Sequence, residues 1–300
     1  MVRPSGLVLV ALAVLLARSA AVAQGAPQTD CDRLAGLDYA PRAPGIATVF
    51  AVRDPAAAIA ACETAVARYP SEPLFRLQLS RARIAADRDD PRARTLVEGI
   101  ANAPAGAVAT WLGLFHQYGW GGLPVDPVQA GALFRQACDG AAPPFAAIGC
   151  ANLGRLILET PGTEPGDQAI ALLQRACDAG LARGCQALGY EYEQGLRVRR
   201  DLPRALALYR QACAAGDPMA CNNYASRQAT GDGVPQDRAA AVATYERVCA
   251  QGLWLGCENL AEAYRTGTGV PADPARAAAV LDRACASGDG DACQRADALR

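Results

Sequence analysis

Four segments decide the fold: CDAGLARGC at 177–185, CAAGDPMAC at 213–221, CAQGLWLGC at 249–257 and CASGDGDAC at 285–293. In each, the first cysteine precedes the second by eight residues, and both series advance by 36 residues per step. Cys138 and Cys150 form an earlier, looser version whose insert contains Pro143 and Pro144. A fixed period of this length marks a repeat array, and it has to be read before any single motif.

Two helical patterns lie between successive cysteine pairs. After Cys257, Leu260, Ala261 and Tyr264 fall on one helical face, and Gly267 and Gly269 stop the helix. Asp273 then supplies an N-cap, with Pro274 at the first helical position. Ala277, Val280, Leu281 and Ala284 make the apolar stripe of a second helix. The neighbouring units make the same choices: Gly195, Gly231 and Gly267 align, as do Asp201, Asp237 and Asp273. Alanine at 205, 241 and 277 lets two helices approach closely. Such helix pairs bury only part of their apolar surface alone, so they stack, and the reading is an all-α, right-handed α/α solenoid.

The chain contains 12 cysteines. Zinc sites want close Cys-x-x-Cys pairs or several histidines; this sequence has no such pair and one histidine. An even cysteine count at regular spacing reads instead as a disulfide framework. A cysteine in the last turn of one helix meets a cysteine in the first turn of the next, across a glycine-containing turn. A loop this short contributes about 2.5 kcal/mol per bridge on the chain-entropy model.

The stretch LGYEYEQGLRVRRDLPRALALYRQACAAGD, from 188 to 217, resembles a Sel1-like repeat, a tetratricopeptide-like helix pair. The cysteines eight apart resemble those of the Helicobacter cysteine-rich protein subfamily. The resemblance spans roughly residues 105–300 and implies bridges Cys138–Cys150, Cys177–Cys185, Cys213–Cys221, Cys249–Cys257 and Cys285–Cys293. Arg197 departs from the pattern where a second glycine belongs, and Thr160-Pro161-Gly162 replaces the loop glycines of the preceding unit. The resemblance also implies binding to a protein or peptide partner, with no cofactor. Its rival implication is a penicillin-binding or β-lactamase-like hydrolase. A serine β-lactamase needs an S-x-x-K motif, and the sequence contains no lysine; a zinc version needs a histidine cluster.

Residues 24–104 lack the period. Asp54-Pro55 caps a helix ending near Arg68, and Leu74, Leu77, Leu79 and Ile84 follow a proline turn. This reads as a degenerate tetratricopeptide-like unit closing one end of the array. Cys31 and Cys62 remain outside the repeat scheme and are paired. Arg3, the apolar run Leu7–Ala17 and Ala21-Val22-Ala23 describe a secretory leader over residues 1–23. The apolar run is shorter than the ~20 residues that span a bilayer, so no membrane span is expected in the mature chain. The expected location is the bacterial periplasm or outside the cell. A net charge of −1 gives no push towards nucleic acid.

Asparagine recurs two positions after the second cysteine, at Asn152, Asn223 and Asn259, and an amide that donates and accepts suits clamping a peptide backbone. Arg155, Glu159, Tyr190, Glu191, Arg227 and Glu262 follow one turn on and vary between units. These nine residues are the expected partner-binding set on the concave face. The competing reading is that the asparagines satisfy local groups and the charges are solvated surface. His116 aligns with Tyr192 and Tyr264 and reads as a packing position. Trp111, Phe115, Tyr118 and Trp120 read as core, and the run Arg197, Arg199, Arg200 reads as a solvated loop.

Overall fold

The computed structural model describes residues 28–36, 52–160, 166–286 and 290–299. The leader at 1–23 and the loop residues Pro161 and Gly162 lie outside the described residues. Among the described residues every element is helical, apart from a short 3-10 turn at Trp120–Gly122.

Among the described residues four helices precede the array: α1 (Asp30–Ala35), α2 (Pro55–Arg68), α3 (Pro73–Ala86) and α4 (Pro91–Glu98). Asp54 caps α2 through Ala57 N–H at 2.9 Å, as its Asp-Pro start predicts. Asp90-Pro91 carries the same signal for α4, a helix that the sequence reading passed over. The bridge Cys31–Cys62 joins α1 to α2. Thr29 caps α1, and fully buried Asp32 closes the capping box by accepting from the Thr29 N–H and accepts from Gln78 of α3 at 3.0 Å, so a six-residue helix too short to stand alone is docked at both a sulfur and a carboxylate.

The array alternates first and second helices. First helices are α5 (Ala107–Tyr118), α7 (Phe145–Glu159), α9 (Ala182–Gln194), α11 (Pro218–Thr230) and α13 (Trp254–Thr266). Second helices are α6 (Pro127–Gly140), α8 (Gly166–Asp178), α10 (Leu202–Ala214), α12 (Arg238–Ala250) and α14 (Pro274–Ala286). A last first-type helix, α15 (Gly290–Ala298), closes the sequence of elements; it turns Ala292 and Ala296 inward and Gln294, Arg295 and Asp297 outward.

The loop between the two helices of a unit is built as the sequence predicts. Gly195, Gly231 and Gly267 take φ of 67°, 78° and 75°, left-handed values that a side chain resists. The N–H of Asp201, Asp237 and Asp273 then donates back to the carbonyls of Tyr192, Gln228 and Tyr264 at 2.8–2.9 Å. Asp126 makes the same bond to His116, which places the histidine in the tyrosine register. Ala205, Ala241 and Ala277 are fully buried, and so are Ala130 and Ala169 at the corresponding points of the two earlier units.

All five repeat bridges form, each from the end of a second helix to the start of the next first helix. They therefore link consecutive repeats. The residue before the second cysteine is always glycine or alanine (149, 184, 220, 256, 292), because the two helices nearly touch there. A Cβ on Gly256 would stand 2.4 Å from Val248, and one on Gly149 would stand 2.5 Å from the backbone nitrogen of Cys138. First helices of successive repeats also pack on one another, whereas second helices pack chiefly on first helices. The first helices consequently line the inner, concave side.

The concave face as candidate functional site

The first-helix surface divides into two stripes. Residues five and nine positions after the second cysteine face solvent: Arg155, Tyr190, Ser226 and Glu262, then Glu159, Gln194, Thr230 and Thr266. Residues two and six positions after it sit between neighbouring helices. Four of the nine expected partner residues belong to the open stripe: Arg155, Glu159, Tyr190 and Glu262. The other five belong to the stripe between helices.

That division corrects part of the expected set. Asn152 and Glu191 are each 3% exposed and present no surface to a partner. Asn259 donates to Asn222 of the preceding first helix at 2.8 Å, and Asn223 hydrogen-bonds the hydroxyl of Tyr209. Asn259 thus ties one first helix to the next, and Asn223 ties a first helix to the second helix before it. Arg295 of α15 bonds Glu258 of α13 at the equivalent place.

Arginine does similar work at the C-terminal ends of these helices, where the dipole favours a cation. Arg155 of α7 donates to the Tyr118 hydroxyl of α5 at 2.6 Å, beside Gln117, whose amide donates to Glu159 at 2.9 Å. Arg197, after α9, donates to the Leu158 carbonyl of α7 at 3.0 Å and pairs with buried Glu191 at 3.2 Å. Arg227 of α11 donates to Glu193 of α9 at 2.6 Å and pairs with Asp232 at 2.8 Å. Tyr209 completes this group with a 2.7 Å bond to the other Glu193 oxygen. Burial first, and then the Glu193 carboxylate, push the Tyr209 phenol far above its ordinary value, so it stays a donor. One guanidinium thus stands at each of three consecutive first-helix junctions, although the three arginines come from different positions of the repeat.

What remains open to solvent is aromatic and polar. Trp111 and Phe115 are core, as expected, but Tyr118 is 40% exposed and stacks on Trp120 with centroids 4.9 Å apart. Tyr190 is 45% exposed. Glu262 is tied to Arg265 by an i,i+3 bond, which holds its carboxyl below the usual range. His116 is half-buried, and its Nδ1 is enclosed without a hydrogen-bond partner. Among the described residues no group of three or more His, Cys, Asp or Glu side chains could hold a metal ion. No helix among them is long and apolar enough to cross a membrane.

Stacked α/α units, stapled across their junctions and lined by first helices, define a repeat solenoid. Five segments (107–141, 147–181, 182–217, 218–253 and 254–289) match the Sel1 repeat, and the chain belongs to that family. The crystal structure of a Sel1 repeat protein from Oxalobacter formigenes is similar, with 21% identity, 71% of this chain and 86% of that chain covered, and a TM-score of 0.52. Helicobacter pylori cysteine rich protein B matches at 27% identity over 44% of this chain and 93% of its own, with a TM-score of 0.36. A protective antigen of uropathogenic Escherichia coli, c5321, matches at 19% identity over 81% of this chain and 63% of its own, with a TM-score of 0.41. No curated protein matches the sequence.

Proposed function

We propose that the chain is an exported interaction module that binds a protein or peptide of the cell envelope on its concave face and catalyses no reaction. One observation carries the reading: a first-helix stripe leaves the Tyr118 and Tyr190 rings and Glu262 open to solvent while the framework residues beside it are committed to neighbours. Tyrosine and arginine are the side chains that most often anchor interfaces, because each combines a large apolar body with a polar end. Export is supported by twelve cysteines, all bridged, since disulfides persist in oxidising compartments. The N-terminal run read as a leader fits the same route, with 24–104 as a capping region.

The test is affinity capture from a native envelope fraction with the oxidised chain, comparing wild type with a Tyr118→Ala/Tyr190→Ala variant. A protein retained by the wild type and lost by the variant is the expected result. Equal retention by both would reject the stripe. A chromogenic cephalosporin assay on the same preparation should show no turnover above background; sustained turnover would overturn the non-catalytic reading.

A further inference from the structure

The arginine run between α9 and α10 is not absorbed by the framework. Arg197 is committed to Glu191, but Arg199 and Arg200 line a groove of ≈ 580 Å³ together with Tyr192, Val198, Asp201, Leu202 and Pro203. Arg199 is exposed and, among the described residues, makes no ion pair or hydrogen bond. Arg200 is exposed and spends its Nε on the Glu193 carbonyl at 3.0 Å, which leaves its two terminal nitrogens for another acceptor. Asp201, the one acid in the lining, is spent on the N-cap of α10, where it accepts from Arg204 N–H at 3.0 Å.

The comparison between repeats separates framework from addition. Tyr192, which lines the groove, is backed by a cation–π contact from Arg204 at 4.2 Å, and Arg276 over Tyr264 repeats that contact at 5.7 Å in a later unit. The stack therefore belongs to the repeat. The arginine pair does not: where this unit has Arg199-Arg200, the next two have Pro235-Gln236 and Pro271-Ala272. Two neighbouring arginines whose charges repel, beside apolar Val198 and Leu202 and the 62% exposed Leu196, gain from an anion that carries its own apolar group.

We infer that this groove takes a peptide carboxylate flanked by an apolar side chain, held by the forks of Arg199 and Arg200 beside Tyr192, Val198 and Leu202. The guanidinium fork matches a carboxylate in two parallel hydrogen bonds. A volume of several hundred cubic ångströms suits one or two residues rather than a domain. The carboxylate comes from a chain terminus or from an Asp or Glu side chain. The inference rests on the reading of the chain as an interaction module and names a chemistry that the open stripe does not supply.

The experiment selects from two pools of randomised octapeptides, one with free C-terminal carboxylates and one amidated, using the oxidised full chain and its Arg199→Gln/Arg200→Gln variant. Both arginines are exposed and neither neutralises a buried acid, so the variant keeps the fold, which circular dichroism verifies. Enrichment by the wild type about tenfold above the variant is expected, the value of one lost charge-assisted pair. Enrichment of the free-acid pool alone assigns a chain terminus; enrichment of amidated members containing Asp or Glu assigns a side chain. Equal enrichment by wild type and variant overturns the inference, as does elimination of the enrichment by millimolar inorganic phosphate, which would mark a general anion site. If the variant still captures the envelope partner as wild type does while Tyr118→Ala/Tyr190→Ala does not, the groove assignment fails and the proposed function stands.

Discussion

Removing one charge from the junction between α9 and α11 tests how the repeats are held in register. Glu193 has a side chain only 7% exposed, and its charge is met by Arg227 at 2.6 Å and by the Tyr209 hydroxyl at 2.7 Å. Arg227→Met keeps the aliphatic stem but leaves the carboxylate with the tyrosine alone. Breaking a buried ion pair from one side costs about 3–5 kcal/mol. Arg227 is 29% exposed, so water already screens part of the attraction, and the expected loss falls to about 2–3 kcal/mol. Replacing both partners, Glu193→Gln with Arg227→Met, removes the stranded charge while the Tyr209 hydroxyl keeps an acceptor. The double variant should therefore be more stable than the single one by at least 1 kcal/mol or so. Repeat arrays do not unfold in one step, so hydrogen exchange of the α9 and α11 amides is the direct readout, supported by urea unfolding of the oxidised protein. A loss below about 0.5 kcal/mol in Arg227→Met, or a double variant as weak as the sum of the singles, would refute the argument that this pair is a buried register contact.

Two further outcomes follow from the junctions and caps. The Cys31–Cys62 bridge closes a separation of 31 residues and each of the last four bridges a separation of 8, so paired Cys→Ala replacement should cost about 3.7 kcal/mol at the first and about 2.5 kcal/mol at Cys249–Cys257; stability measured with the other bridges intact would contradict the entropic account if the order were reversed. Hydrogen bonds from the Arg92 guanidinium, followed by the Arg92 N–H and Arg83, hold the Asp90 carboxyl at about 2 against an ordinary 3.8. The folded value lies below the unfolded one, so the charged cap of α4 adds stability above pH 4 or so and loses it as pH falls towards 2. Carboxyl-carbon NMR assigned with Asp90→Asn should find that midpoint, and a midpoint at 3.8 would mean the arginine contacts are not held in solution.

The periodicity of a repeat protein is written in its framework, which is why so much of the fold was legible. Gly195, Gly231 and Gly267 mark the left-handed stops, and Asp201, Asp237 and Asp273 mark the next helix starts, because these backbone conformations and orphan N–H groups admit few side chains. The cysteine spacing placed each staple, since eight residues cover one tight turn between the end of one helix and the start of the next. The helix at Pro91–Glu98 carries the same Asp-Pro signal, but it buries only Ala93 and Val97, a stripe too short to show a helical period.

The concave face was half legible for a geometric reason. Sequence spacing put Asn152, Arg155, Asn223, Arg227, Glu191 and Glu262 on one side of a helix, but it could not say where the neighbouring helix stands. A rotation of one residue, about 100° on a helix at 3.6 residues per turn, separates Tyr190, open to solvent, from Glu191, enclosed between repeats, and three residues, about 60° the other way, separate half-buried Arg155 from enclosed Asn152. The arginine line across three junctions was invisible for the same reason, since Arg155, Arg197 and Arg227 hold different places in the repeat and only superhelical packing sets them in line. By itself the sequence determined the repeat, its caps and its staples, because those are local constraints on backbone and short loops. Which side chains register the stack and which face solvent was decided by the tertiary structure alone, because that depends on how far each first helix turns against the next.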